Sequence, residues 1–436
     1  MRDCNRREFL ALGAAGLSAP AFGKNTDGRT FREPVRELQV VSDCDILVCG
    51  GGPAGIATAV SAARSGAKVR LLELRGSLGG IWTSGLLGCL LDFGRGKIAA
   101  EINARLDAWG ARRRGVYEPD YMKTVCEAMC LEAGVKVQLD TRVVAAYRDV
   151  SERNVDVVVT ESKSGRQAWR AKTVVDATGD GDLAALAGCG FDIGITEDGR
   201  DQPASMMAVL SCPDTDLLKP FMLREGRGWA ETTAAFADEI RRAGRTPSYG
   251  HPTLYRLGKT LVLMMANHEY GVKIDDAAGI TAATMHARRE NLELVTALER
   301  LGGPWRGLRV AATAEQLGHR TARRIHGRYT LTRADVASGA RFDDAAGESH
   351  FPVDIHALSK NAPAVSSMGV KAKPFQIPIR AMRAKELDNL YMAGRCISGD
   401  SIALASYRVT GPACQMGESL GCFLSGYAGK SEKVSL

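Results

Sequence analysis

The chain has 436 residues, 45% of them hydrophobic, which is enough for one large or two medium domains with a real core. A charged fraction of 25% is ordinary for a globular protein, and a net charge of +7 is too small to argue for a nucleic-acid partner. The densest basic run, Arg112 to Arg114, has no interleaved aromatics and reads as a solvated face.

Asn5-Arg6-Arg7-Glu8-Phe9-Leu10 precedes a soft apolar run, Ala11 to Ala21, and Ala19-Pro20-Ala21 offers a small-x-small cleavage site. Residues 1–23 therefore read as a signal peptide, and the arginine pair ahead of Phe-Leu resembles the twin-arginine type. That route exports proteins already folded, so the expected location is the periplasm. No later stretch approaches the roughly 18 apolar residues of a membrane-spanning helix, so the mature chain is expected to carry no transmembrane anchor.

A polar leader occupies residues 24–42. Asp45 to Gly50 is an apolar, partly β-branched run of the kind buried in parallel sheets, Ala54 to Ser65 reads as a small-residue helix, and Lys68 to Leu74 as a second strand. Residues 97–110 and 118–133 look helical. Lys136 to Gln138, Val143 to Asp149 and Val155 to Thr160 suggest a smaller sheet, and Ala171 to Ala177 another buried strand. From about 190 to 375, apolar strands (Ala204 to Leu210, Thr260 to Asn267) mix with long helices (about 277–301 and 308–324). Leu390 to Ala393 is a last buried strand, and Pro412 to Leu424 a final helix rich in small residues.

Eleven cysteines are present, one of them in the signal, without a C-x-x-C pair or a haem-attachment motif. Cys126 and Cys130, four apart on a predicted helix, read as small core residues, and no metal-ligand set is read.

The chemistry begins at Gly50-Gly51-Gly52-Pro53-Ala54-Gly55, a G-x-G-x-x-G at a strand-to-helix turn. Gly50 permits the tight turn, Gly52 lets a pyrophosphate approach the backbone, and Gly55 allows close helix–strand packing. The helix N-terminus then faces the phosphates with free N–H groups. Glu73, at the end of the second strand, is placed to accept both hydroxyls of an adenosine ribose.

Arg75-Gly76-Ser77-Leu78-Gly79-Gly80 follows directly and resembles FAD enzymes of the glutathione-reductase-like superfamily. Val174-Val175-Asp176-Ala177-Thr178-Gly179-Asp180 resembles that superfamily's second cofactor segment, and Asn389-Leu390-Tyr391-Met392-Ala393-Gly394-Arg395 the third. Gly79 to Leu86, Arg323 to Tyr329 with Asp335-Val336, Val353 to His356 and Gly394 to Ser398 are similar to bacterial FAD-dependent oxidoreductases, distant relatives of the fumarate reductase group. The resemblance covers nearly the whole mature chain and speaks to cofactor and fold rather than to substrate. It implies an α/β protein: a Rossmann-like FAD-binding domain with a parallel sheet (43–190 and 375–436), and an inserted mixed α+β substrate or cap region (191–374). FAD is the implied cofactor. Leu74, Arg75, Trp82, Thr83, Val143 and Val144 are counted with the cofactor-binding residues, Trp82 being equally readable as core. Asp400 or Ser401 would bond ribityl hydroxyls. Gly411 and Pro412 open a final helix whose dipole would face the flavin's pyrimidine ring.

For a substrate proton, His356 is the first candidate and His319 the second. Arg320, Arg323 and Arg324 follow one another on the predicted helix 308–324, where they can share a face, and Arg408 precedes the last helix. An arginine fork suits a carboxylate. Cys396 reads as a small buried cysteine rather than a covalent flavin anchor.

The resulting expectation is an FAD-dependent dehydrogenase or oxidase that passes a hydride from a small polar substrate to flavin N5. No second G-x-G-x-x-G is seen, so electrons are expected to leave to O2, a quinone or a separate carrier protein. Three alternatives stay open: a flavin-dependent reductase of an activated C=C bond, a non-redox lyase or hydratase with structural FAD, and an FAD-bearing binding protein. Oligomeric state is not read from the sequence.

Overall fold

The computed structural model describes residue 31 and residues 33–196, 199–359 and 365–428. Residues 40–436 form one compact unit, and residues 1–39 a separate one. The signal-peptide reading of residues 1–23 lies outside the described residues.

Five short strands make a parallel sheet in the order Leu390–Met392, Thr173–Asp176, Ile46–Cys49, Val69–Leu72, Lys136–Gln138. Numbered along the chain this is 3-2-1-4-5 read from the far edge, five strands of the doubly wound Rossmann order. The inner strands are mostly apolar because both faces of the sheet are buried: Leu47, Val48, Leu71 and Val175, with Met392 of one edge strand, have no exposed surface.

Helix Pro53–Arg64 starts with Pro at its first position and packs against the last helix, Thr410–Ala428. The two approach closely where side chains are missing. A Cβ on Gly417 would lie 2.2 Å from the Ala54 carbonyl oxygen, and one on Gly421 2.4 Å from that of Thr58.

Two further sheets complete the unit. Val40–Val41, Gly165–Trp169, Val155–Ser162 and Arg142–Arg148 form one, to which part of the polar leader thus contributes. Thr253–Arg256, Leu261–Met265, Ala208–Ser211 and Arg309–Thr313 form the other. The latter has its own core, in which Phe236 and Ile240 of helix Trp229–Arg242 meet Leu294 and Leu298 of helix Ala277–Leu301. Among the described residues no helix is long and apolar enough to cross a membrane.

The expected helix over 308–324 is not formed. Its first part, Arg309–Thr313, is an edge strand paired with Ala208–Ser211, and Gly318 exchanges backbone hydrogen bonds with Ser205. Ala, Glu, Gln and Arg give this segment helical propensity, but sheet pairing outweighs a preference worth only tenths of a kcal/mol per residue. The three arginines consequently diverge. Arg320 donates to the Pro203 carbonyl, Arg323 to Asp182 and Arg324 to the Gly194 carbonyl.

Candidate functional site

Four of the five strand ends open onto one cavity of about 950 Å³, within the size range of cofactor sites. Gly50, Gly52, Pro53 and Ala54 line it after the first strand, and Glu73, Leu74 and Arg75 after the second. Ala177, Thr178, Gly179 and Asp180 line it after the third, and Gly394 and Arg395 after the fourth. Gly80, Val143 and Val144 add to the wall.

The three fingerprint glycines differ in what surrounds them. Gly50 has φ +107°, and a Cβ there would sit 2.3 Å from the Ala177 carbonyl oxygen. A Cβ on Gly55 would sit 1.8 Å from the Gly50 carbonyl oxygen, so this residue is a packing contact and does not line the cavity. A Cβ on Gly52 would meet nothing within 4 Å. Gly52 is also the N-cap of helix Pro53–Arg64, whose first turn holds no acidic residue and no side-chain cap. Open space in front of bare helix N–H groups fits a pyrophosphate.

Glu73 is buried, and burial raises its pKa. Its carboxylate accepts the Gly51 N–H (2.5 Å) and the Arg75 N–H (2.8 Å), which ties the first turn to the second strand. Each oxygen keeps a lone pair for a ribose hydroxyl. The residues present therefore fit the dinucleotide part of FAD.

Other expected cofactor contacts lie elsewhere. Gly79 donates to the Gly51 carbonyl beneath the turn (2.8 Å), and Thr83 to that of Leu78 (2.6 Å). Trp82 is fully buried, edge-on to Phe93. Gly411 and Pro412 are flanked by Thr410 and Ala413, which do line the cavity. Neither Asp400 nor Ser401 lines it. Asp400 instead accepts the N–H groups of Ile402 (3.0 Å) and Ala403 (2.8 Å) as N-cap of helix Ser401–Tyr407, and that of Arg333 (2.6 Å) at the start of another helix. Replacing Asp400 by Ala is expected to cost about 1–2 kcal/mol of stability with FAD content unchanged. Denaturant unfolding and a flavin-to-protein absorbance ratio check both parts.

Of the catalytic candidates, His319, Arg323 and Arg408 line the cavity; His356 and Arg320 do not. Arg323 is occupied by Asp182 (2.8 Å) and the Asp180 carbonyl (3.0 Å). Arg395 pairs with Asp180 (2.6 Å). Burial lowers the pKa of His319. Arg408 donates to the Asp354 backbone carbonyl (2.9 Å) and to its Oδ2 (3.1 Å). On the far side of that carboxylate, His356 Nε2 lies 3.3 Å from Oδ2. The carboxylate can only accept, so Nε2 carries the proton and Nδ1 is left as a bare lone pair. Nδ1 is buried and has no partner among the described residues.

His356 packs beside His268 (ring centroids 5.1 Å) and Tyr249 (5.9 Å). Arg320 donates to Ser205 Oγ (3.0 Å) and lies 3.3 Å from His268 Nε2, which must therefore be an acceptor in a neutral ring. Burial and the Arg320 charge lower His356 to about 4, with Asp354 opposing. The same two causes push His268 far below the usual imidazole range. Burial alone would raise Asp354, but the His356 hydrogen bond and the Arg408 charge outweigh it and hold its pKa well down.

These shifts predict acid sensitivity. A histidine with a depressed folded pKa leaves the unfolded chain binding the extra proton below about 6.5. Stability is thus present above 6.5 and is lost as pH falls toward 4. For His356 the loss is of order 3 kcal/mol. The melting temperature is expected to fall between pH 7 and pH 4.5, with a shallower slope for His356→Gln. Parallel slopes for the two proteins would contradict the assignment.

The sequence reading missed Gln202, Tyr249, His268 and the wall formed by Ile280, Thr284, Gln316 and Leu317. Behind His268, Glu269, His286 and Glu290 bring three possible metal-ligand atoms within 4.8 Å of one another. Asn267 donates to both carboxylates (2.7 and 2.5 Å), so the group is a hydrogen-bonded brace for the segment that carries His268.

A family model described as FAD dependent oxidoreductase matches residues 45–433. A thiamine thiazole synthase of Methanosarcina mazei is 36% identical over 92 residues, 21% of this chain and 33% of that protein. The thiamine thiazole synthase of Pyrococcus abyssi is 29% identical over 161 residues, 34% of this chain and 61% of that protein. The matches span less than two thirds of either relative. A crystal structure of a geranylgeranyl bacteriochlorophyll reductase-like protein from Thermoplasma acidophilum is similar with a TM-score of 0.44 and 12% identity, covering 90% of this chain and 78% of that one.

Proposed function

The chain belongs to the FAD dependent oxidoreductase family and is a flavin-dependent redox enzyme, and from that premise we propose that it is a dehydrogenase or oxidase of a small polar substrate, with His356 as the group that takes the substrate proton. The observation that carries this reading is the bare, buried Nδ1 of His356, fixed in its tautomer by Asp354, the carboxylate that also takes Arg408 of the cavity wall. A base held by a carboxylate partner, with its free lone pair out of water, is the arrangement general base catalysis needs.

FAD bound in the cavity supplies a two-electron acceptor at N5 for the substrate hydride. Gly52 and the first turn of helix Pro53–Arg64 would hold its pyrophosphate, and Glu73 its ribose. Asp354 holds the His356 ring, and Arg408 holds Asp354. We place the chain in the glutathione-reductase-like superfamily as a distant bacterial relative of the fumarate reductase flavoproteins. Electrons leave to O2, a quinone or a carrier protein.

A dye-linked assay tests the direction. Oxidation of an alcohol, amine, sugar or hydroxy acid with reduction of an artificial dye is expected. Turnover of enoates by the chemically reduced enzyme, with no donor reducing the dye, would replace this reading by the C=C reductase.

Export is a separate part of the proposal. The Arg6-Arg7 pair directs the folded, FAD-loaded protein to the periplasm. Replacing both by Lys is expected to leave the protein in the cytoplasmic fraction; unchanged export would remove the twin-arginine assignment.

A further inference from the structure

The brace behind His268 also has the donor set of a cation site. His286 and Glu290 stand four apart on helix Ala277–Leu301 and so share one of its faces. Glu269 reaches them from the segment that follows strand Leu261–Met265. One imidazole nitrogen and two carboxylate oxygens thus come within 4.8 Å of one another. A single ion with bonds of about 2.0–2.4 Å spans ligand atoms that far apart. None of the three residues lines the cavity.

The hydrogen bonds already made leave room for an ion. A carboxylate offers about four acceptor positions. Glu290 uses three, for the Ser248 N–H (2.7 Å), Ser248 Oγ (2.7 Å) and Asn267 Nδ2 (2.5 Å). Glu269 uses only its Oε1, which meets Asn267 Nδ2 (2.7 Å) and His286 Nδ1 (2.8 Å). Glu269 is 8% exposed, and its Oε2 has no hydrogen-bond partner among the described residues. Ser248 and Asn267 orient the two carboxylates as outer-shell donors orient metal ligands.

The charges point the same way. Two carboxylates this close repel each other. Among the described residues neither is ion-paired to a lysine or arginine, and His286 is the basic group in contact with them. Arg320 directs its donors to Pro203, Ser205 and His268 instead. One imidazole with two carboxylates suits a first-row divalent ion better than Ca2+ or Mg2+, which take oxygen ligands.

We propose that Glu269, His286 and Glu290 bind one Zn2+ or Mn2+ ion, which fastens the neighbour of His268 to the helix whose Ile280 and Thr284 line the cavity. The site is independent of the flavin reading.

Calorimetric titration of the untagged, chelator-treated full chain tests this, with Zn2+, Mn2+, Mg2+ and Ca2+ as the probes. One saturable site per chain for Zn2+ or Mn2+ is expected, with Mg2+ and Ca2+ at least about 10-fold weaker. The melting temperature should rise with the bound ion. His286→Ala changes a side chain that is 49% exposed, so it should fold, and it should weaken binding by at least about 10-fold. No binding, or binding unchanged in His286→Ala, overturns the site. So does Mg2+ or Ca2+ binding as tightly as Zn2+ and Mn2+. Should the variant not fold, the stoichiometry and the order of the four ions on the wild type decide.

Discussion

Replacing His356 by Ala lowers kcat/KM for substrate oxidation by roughly 100- to 10,000-fold while FAD stays bound at the wild-type ratio. The size is that of a positioned general base. Retention of FAD follows from the geometry, because His356 does not line the cavity. The pH profile separates a base from a merely structural histidine. Burial and Arg320 hold the imidazole at about 4, so kcat/KM for the wild type should be flat through neutrality and fall only as pH drops toward that value. An Asp354→Asn variant loses the carboxylate that fixes the tautomer and should lose most of the same activity. Wild-type activity in His356→Ala would move the proton-accepting role elsewhere, first to His319, which does line the cavity.

The second large effect concerns the cofactor. Gly52→Val is expected to fold and to bind FAD more than 100-fold less tightly. Gly52 has φ −79° and ψ −173°, a conformation open to any residue, and a Cβ there enters empty space. The fold therefore loses only the N-cap preference of Gly over Val, about 1 kcal/mol. The branched side chain occupies the space in front of the helix N–H groups. Gly55→Val is the counterpart. Its Cβ would lie 1.8 Å from the Gly50 carbonyl oxygen, so the helix must leave the sheet and the protein should not accumulate in soluble form. Melting curves and flavin absorbance on the two variants read both outcomes. Equal loss of fold, or FAD retained in Gly52→Val, would contradict the placement of the pyrophosphate.

The contrast between these glycines explains what the sequence could disclose. Cofactor loops sit at strand ends, where a local backbone requirement (a left-handed turn at Gly50, a close approach at Gly55) leaves a fixed residue type at a fixed spacing. Glu73, Ala177 to Asp180 and Gly394 with Arg395 were legible for the same reason, since each ends a buried apolar strand. The substrate side obeys no such rule. Gln202, Tyr249, His268, Arg320, Asp354 and Arg408 come from six separate stretches, joined by tertiary packing that leaves no period in the chain.

The helix expected over 308–324 shows the same limit. Its composition favours a helix, but an unpaired edge of the Ala208–Ser211 strand was available to pair with it. Asp400 is different: an acidic residue directly before the apolar helix Ser401–Tyr407 carries an N-cap signature, and a ribityl role assigned by resemblance hid it.

The most direct test of the redox assignment is the anaerobic visible spectrum of the FAD-reconstituted protein, recorded before and after a panel of alcohols, amines, sugars and hydroxy acids. One bound flavin per chain, bleached by at least one donor, is the expected result. A protein that binds no FAD, or one whose flavin keeps its oxidised spectrum while a panel member is converted, would contradict it.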